Sequence, residues 1–174
     1  EVPNYPAGMQ WGTTDNQKRR PMQLPLSPEE SIKHMVVPPG FAVSLFAADP
    51  QIKRPICMAW DERGRLWIAE TVDYPNEMQP EGQGHDRILI CEDTDGDGCF
   101  DRSTVFADEL LWAAGIAPWD GGVFVAAPPD IWYLKDTDGD RKADVRRKVF
   151  TGFGTQNQQG MLNNLIFGLD HKIY

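Results

Sequence analysis

Two short segments of this sequence carry oxygen donors at a spacing suited to one divalent cation each. In Asp93-Thr94-Asp95-Gly96-Asp97-Gly98-Cys99-Phe100-Asp101, carboxylates occupy positions 1, 3, 5 and 9, and Asp136-Thr137-Asp138-Gly139-Asp140-Arg141-Lys142-Ala143-Asp144 repeats the pattern. Alternate side chains of a tight turn converge on one point, and calcium takes about 6–8 oxygen ligands. The expected ligands of the first calcium are Asp93, Asp95, Asp97 and Asp101, with the backbone carbonyl of Cys99 at position 7. Those of the second are Asp136, Asp138, Asp140 and Asp144, with the carbonyl of Lys142. Neither loop has the glutamate that closes an EF-hand at position 12.

Without metal, two carboxylates about 5 Å apart repel by roughly 3 kcal/mol at an effective dielectric near 20. Each loop is therefore expected to order only when calcium arrives. An exposed acidic turn is the alternative for a single Asp-Gly-Asp, but two matched copies with four aspartates each tell against it. Arg141 stands where the first loop has Gly98, which is expected to strain the turn and weaken the second site.

These loops also account for the charge. The chain of 174 residues has a net charge of -9, yet removing the eight loop aspartates from 26 acidic residues leaves 18 against 17 basic ones. No basic face is left for nucleic acid or for an anionic membrane surface, and no run of apolar residues is long enough to span a bilayer. A hydrophobic content of 41% supplies a core. The three cysteines, Cys57, Cys91 and Cys99, form no Cys-x-x-Cys pair, so zinc and covalently attached haem are not expected. Cys91 and Cys99 bracket the first loop and are either a disulfide or two small buried hydrophobes.

The elements that must hold the loops are strands of a repeated unit. Met58-Ala59-Trp60-Asp61-Glu62-Arg63-Gly64-Arg65-Leu66-Trp67-Ile68-Ala69 reads as strand, turn and strand. It is echoed by 117–126, Ala-Pro-Trp-Asp-Gly-Gly-Val-Phe-Val-Ala, and a third copy begins over 166–174. After each of the first two, a strand leads into an aspartate loop (88–93 and 131–136) and another leaves it, through Val105-Phe106 or Val149-Phe150. Four strands per unit, with loops 43 residues apart, predict an all-β fold: a partial β-propeller of four-stranded antiparallel blades. An all-β sandwich with calcium loops is the alternative. Residues 71–86 form an insertion in the first unit.

Ahead of the blades, the proline-studded residues 1–26 read as an extended arm, and Ser27-Pro28-Glu29-Glu30 as the start of a short helix. The arm and helix occupy 1–34, and 35–174 hold two blades and the start of a third. A closed propeller takes typically about 4–8 blades. More polypeptide or a partner chain is therefore expected to complete the ring.

Strand hairpins alternate ends, so the calcium loops lie at one end and the insertion and inter-blade connections at the other. That other end gathers Glu70, Asp73, Tyr74, His85 and Asp86, with Gln156, Asn157, Gln158, Gln159, Asn163 and Asn164. Glu70, Asp73 and His85 are candidate catalytic residues; Tyr74, Gln158, Asn163 and Asn164 are candidate substrate-binding residues. The plainer readings are a solvated strand end for Glu70 and a turn residue for His85. His34 and His171 read as surface residues.

The segments Pro38-Pro39-Gly40-Phe41, Leu66-Trp67-Ile68-Ala69-Glu70, Gly115-Ile116-Ala117-Pro118-Trp119, both aspartate loops and Asn163-Asn164-Leu165 carry a family resemblance. Over about 27–174 the chain resembles the propeller of the membrane-bound dehydrogenase-like proteins of planctomycetes, many of which carry a C-terminal haem segment. More remotely, Phe167-Gly168-Leu169-Asp170-His171-Lys172-Ile173-Tyr174 is similar to a strand of the soluble glucose and sorbosone dehydrogenases. The resemblance implies a periplasmic or secreted protein that oxidises a sugar or alcohol, with pyrroloquinoline quinone or haem as cofactor. At the position of the dehydrogenases' catalytic histidine this chain has Gly160, with Gln159 beside it, so a general base is missing there and His85 is a candidate substitute from another loop. A carbohydrate- or protein-binding propeller without catalysis and a non-redox sugar enzyme are the alternatives.

Overall fold

The computed structural model describes residues 25–76, 78–157 and 159–174, and its contacts divide the chain into a unit ending at Leu45 and one running from Phe46 to Tyr174. The expected arm lies outside the described residues up to residue 24. In the first unit, α1 (Pro28–Ile32) starts as expected: Ser27 accepts a hydrogen bond from the Glu30 amide, and Pro28 opens the helix. It is one short turn and then some, with no buried residue.

The second unit is all-β. Its strands are β1 (Pro55–Trp60), β2 (Leu66–Glu70), β3 (Asp86–Glu92), β4 (Arg102–Leu110), β5 (Gly115–Trp119), β6 (Gly122–Ala127), β7 (Asp130–Lys135) and β8 (Val145–Thr151). They form two antiparallel four-stranded meanders, β1-β2-β3-β4 and β5-β6-β7-β8, which are the two expected blades. In place of a third blade's first hairpin stands a tight turn, with a bridge between Phe167 and Ile173 and paired backbone bonds between Ile166 and Tyr174.

Period-2 alternation explains how the blades stack. On one face of the first blade, Trp67, Ala69, Ile88, Ile90 and Phe106 meet Ile116, Val123, Val125 and Leu134 of the second in a shared core. Trp67 meets Phe106 edge to face, ring centroids 4.7 Å apart. The residues in between, Leu66, Ile68, Leu89 and Cys91, point the other way and are covered by Phe46, Ile52, Phe100 and Val105. Both faces of β2 are thus buried, which is why its sequence is almost wholly apolar.

The cysteines do not form the bridge that their spacing allows. Cys91 is buried in β3, Cys99 is exposed in the loop, and none of the three is in a disulfide. Burial pushes the Cys57 and Cys91 thiols up to about 11.

The repeated box owes its turn to Asp61. One carboxylate oxygen accepts from the Arg63 and Arg65 amides at 2.9 Å each; the other accepts from Arg65 Nε at 2.7 Å and the Trp67 indole at 2.9 Å. Burial pushes this carboxyl up, but the bonds from Trp67 and Arg65 outweigh it and hold the group below its ordinary value. Its contribution to stability is therefore complete above the unfolded carboxylate pKa of about 3.9 and lost as the pH falls through the lower folded value. Asp61→Asn is expected to cost about 2 kcal/mol at neutral pH and to flatten the acid limb of the stability curve. Urea melts at stepped pH measure both, and an unchanged acid limb would refute the assignment. In the second blade, Asp120 and Gly121 turn the hairpin differently, with φ of 48° and 72° in the left-handed region that a tight two-residue hairpin needs.

Candidate functional site

The two aspartate loops connect β3 to β4 and β7 to β8, so they share one end of the blades. Arg141 of the second loop reaches Glu92 at the foot of the first, Nε to Oε2 3.5 Å. In the first loop, oxygens of Asp93, Asp95 and Asp101 lie within 4.8 Å of one another; in the second, those of Asp136, Asp138 and Asp140 do. Hard oxygen donors gathered this closely suit calcium.

The structure brings together three of the four carboxylates expected in each loop. The backbone bonds are the same in both loops: Asp97 and Asp140 accept from the Cys99 and Lys142 amides at 2.7 and 2.8 Å, and Asp101 and Asp144 from the Thr94 and Thr137 amides at 2.6 and 3.0 Å. Asp93 and Asp136 each take two amides across the turn, from Gly96 and Gly98 and from Gly139 and Arg141. The bonds from Gly139, Arg141 and Asp138 hold Asp136 below its ordinary value, and those from the Thr94 hydroxyl and amide do the same for Asp101. Gly98 and Arg141 have φ of 88° and 69°. The turn thus demands a left-handed residue at this position, and arginine meets the demand at a strain of about 1 kcal/mol.

At the opposite end, Asp86 opens β3 fully buried and collects four donors. They are the Thr71 hydroxyl at 2.9 Å and the amides of Val72 at 2.7 Å, Asp73 at 3.1 Å and Ala113 at 2.9 Å. This carboxylate ties the insertion to the β4–β5 connection. Glu70 is neither a solvated strand end nor open to a substrate. It is completely buried, with its carboxylate taken by the Lys53 amide and the Arg87 guanidinium.

Asp73 and His85 do come together. Asp73 is 6% exposed and accepts from the His85 amide at 2.9 Å, while its other oxygen lies 2.7 Å from His85 Nδ1. An ionised carboxylate only accepts, so in the neutral ring Nδ1 carries the hydrogen and Nε2 holds the lone pair. The His85 side chain is 65% exposed. The pair is an exposed imidazole oriented by a buried carboxylate.

Tyr74 stands edge-on to Trp112, ring centroids 6.4 Å apart. Asn164, with φ of 56°, donates its amide to the Ala114 carbonyl, next to the Ala113 that Asp86 holds. Asn163 is exposed and bonds the Met161 carbonyl. Gln156, Asn157 and Gln159 are exposed too, whereas Gln158 lies outside the described residues. Trp112 and Asp130 are buried residues at this end that carry no motif, and each has one side-chain polar atom without a partner. Asp130 was discoverable as the counterpart of Asp86, since each opens the third strand of its blade.

A quinone cofactor bearing three carboxylates needs cations. On this end Arg87 is bound to Glu70, and Arg54 bonds the Val72 carbonyl. The described residues therefore do not assemble a cradle for it. No helix among them is long and apolar enough to cross a membrane.

Compared with known proteins, residues 27–174 match the model of a family described as a domain of unknown function, DUF7133. No curated protein matches. Among solved structures, the chain is similar to the holo form of the PQQ domain of a pyranose dehydrogenase from Coprinopsis cinerea. The identity is 21% over 58% of this chain and 22% of that one, with a TM-score of 0.42. A likeness of that degree carries no argument about activity.

Proposed function

We propose that this chain, which belongs to the DUF7133 family, forms two blades of a calcium-stabilised, dehydrogenase-like propeller whose polar end removes a proton from a sugar or alcohol during its oxidation. The observation that carries the reading is the Asp73–His85 pair, on the end away from the metal loops. His85 Nε2 accepts the proton of a substrate hydroxyl, Asp73 fixes the ring and stabilises the imidazolium that forms, and Asp86 fixes Asp73 through its amide. Tyr74, Asn163 and Asn164 border the substrate.

Haem, which the sequence resemblance also implies, would supply electron acceptance when bound. Only the proton-handling half of the reaction belongs to the residues described. Calcium is structural: each loop contributes its three converging carboxylates, with the carbonyls of Cys99 and Lys142 completing the shells. The resemblance also supports a periplasmic or secreted location, and more polypeptide or a partner chain completes the ring.

The test is sugar- or alcohol-dependent reduction of an artificial electron acceptor by the whole protein. His85→Ala is expected to lower kcat about 100-fold or more, and Asp73→Asn to lower it while shifting the pH profile. Full activity in His85→Ala would remove the assignment. A panel of sugars and alcohols that bind without turnover would favour the non-catalytic carbohydrate-binding reading.

A further inference from the structure

At the end of the blades that carries the aspartate loops, a groove of about 520 Å³ lies between the two hairpins, with Ile90 and Phe106 in its lining. Pockets that take small ligands run to about 300–1,000 Å³. Arg65, from the β1–β2 hairpin, lines the groove with its side chain 16% exposed. Two contacts fix its guanidinium: Nε donates to Asp61 at 2.7 Å, and the Trp67 ring lies under it, 5.4 Å to the ring centre. The two Nη groups have no hydrogen-bond partner among the described residues. They are not closed off either, because the buried side-chain atoms without a partner there are Trp112 Nε1 and Asp130 Oδ1 alone. A guanidinium engaged at Nε still offers its Nη edge as a two-pronged donor, which matches two oxygens of a carboxylate or sulfate. The fork is thus oriented, accessible and without an acceptor.

The other charges of the groove decide what it can take. Arg63, Lys135 and Arg141 line it with Arg65, against Glu62, Asp120 and Asp136, and an adjoining hollow that shares its three arginines adds Glu92 and Asp93. Lys135 is matched by Asp120 at 3.0 Å. Glu92 is held by Arg102 at 2.8 Å, and Arg141 stands further from it, at 3.5 Å. Without metal, four cations thus face five acids, and an anion is repelled. Asp93 and Asp136, however, are the first ligands of the two proposed calcium ions, which cancel their charge. With the metals in place, Arg63, Arg65 and Arg141 are opposed only by Glu62 and by the Asp61 that anchors Arg65.

We infer that in the calcium-loaded protein this groove binds a small organic oxyanion, a carboxylate or a sulfate ester, with Arg65 as the fork and Arg63 and Arg141 beside it. The inference rests on the calcium reading above and not on the Asp73–His85 chemistry, which belongs to the other end of the blades.

Isothermal titration of the whole protein in calcium, at constant ionic strength, tests it with D-glucuronate and D-glucose 6-sulfate as probes and methyl α-D-glucopyranoside as the neutral control. Saturable binding of an anion is expected, with the tighter of the two telling carboxylate from sulfate, and none of the neutral glycoside. Arg65→Met weakens binding about tenfold or more. Arg141→Gly removes a cation and puts glycine where φ is 69°, so it weakens binding about threefold without lowering the melting temperature. EGTA weakens binding about tenfold, and His85→Ala binds as the native chain does. No saturable binding in calcium, an affinity unchanged by EGTA, or native affinity in both Arg65→Met and Arg141→Gly overturns the inference. Melting curves of the same samples separate the two readings. A calcium-dependent melting temperature without anion binding overturns this inference alone, whereas one indifferent to calcium overturns the calcium reading and this inference with it.

Discussion

Chelation of calcium with EGTA is expected to lower the melting temperature by about 10–30 °C. A ligand present at 100 to 1,000 times its dissociation constant stabilises the folded state by about 2.7–4.1 kcal/mol per site. Two sites, in a domain of this size, convert to a shift of that order at about 2–4 °C per kcal/mol. The physical source is the convergence of three carboxylates within 4.8 Å in each loop, a repulsive arrangement without a counter-ion. The single variants Asp95→Ala and Asp138→Ala should each abolish about half of the calcium-dependent shift. In EGTA the sign should reverse, because removing one of three mutually repelling charges relieves the metal-free loop. Magnesium is expected to substitute poorly, since it demands a smaller octahedral shell. A melting temperature indifferent to EGTA, with both variants silent, would overturn the calcium reading.

Asp86→Ala is expected to be the most damaging substitution at the other end, at about 3–5 kcal/mol. The side chain holds three backbone amides and a hydroxyl in a fully buried place, and its loss leaves the three N–H groups without acceptors at about 1–3 kcal/mol each, partly recovered by water. Asp86→Asn should cost nearly as much, because its NH₂ group would face donors. Hydrogen exchange should locate the damage. Protection is lost at Val72, Asp73 and Ala113 together, although Ala113 is 27 residues distant in the chain from Asp86. Uniform loss across both blades, or none, would refute the view of Asp86 as a local tie. Since Asp73 is one of the tied residues, turnover should fall with stability even in the fraction that remains folded.

Much of this architecture was legible from local pattern. The Asp-x-Asp-Gly-Asp spacing, the recurring Trp-Asp box and the alternation of apolar residues place turns and strands, because those preferences act over a few neighbouring residues. The 16-residue difference between the two units likewise located the insertion that carries Asp73 and His85. What the pattern left open were the properties that belong to contacts between distant segments. Glu70 at a strand end is indistinguishable by type from a solvated residue until Arg87 and the Lys53 amide close over it. The His85 ring is held in one orientation only because the insertion folds back to set Asp73 against it.

The same division separates Asp86 from Asp130. Both positions follow from the repeat, but whether the carboxylate is satisfied depends on what the neighbouring connection can donate. A long insertion offers amides and a hydroxyl; two prolines offer none. Even the loops show this limit. Spacing predicted four converging carboxylates in each, whereas the folded turn brings three together, Asp93, Asp95 and Asp101 in one and Asp136, Asp138 and Asp140 in the other. Local sequence thus determined where strands, turns and acidic loops would form, since those follow from backbone preferences and side-chain period. Tertiary packing decided which carboxylates are saturated, which are paired with a base and which still lack a donor, since desolvation and hydrogen-bond supply arise only when distant segments meet.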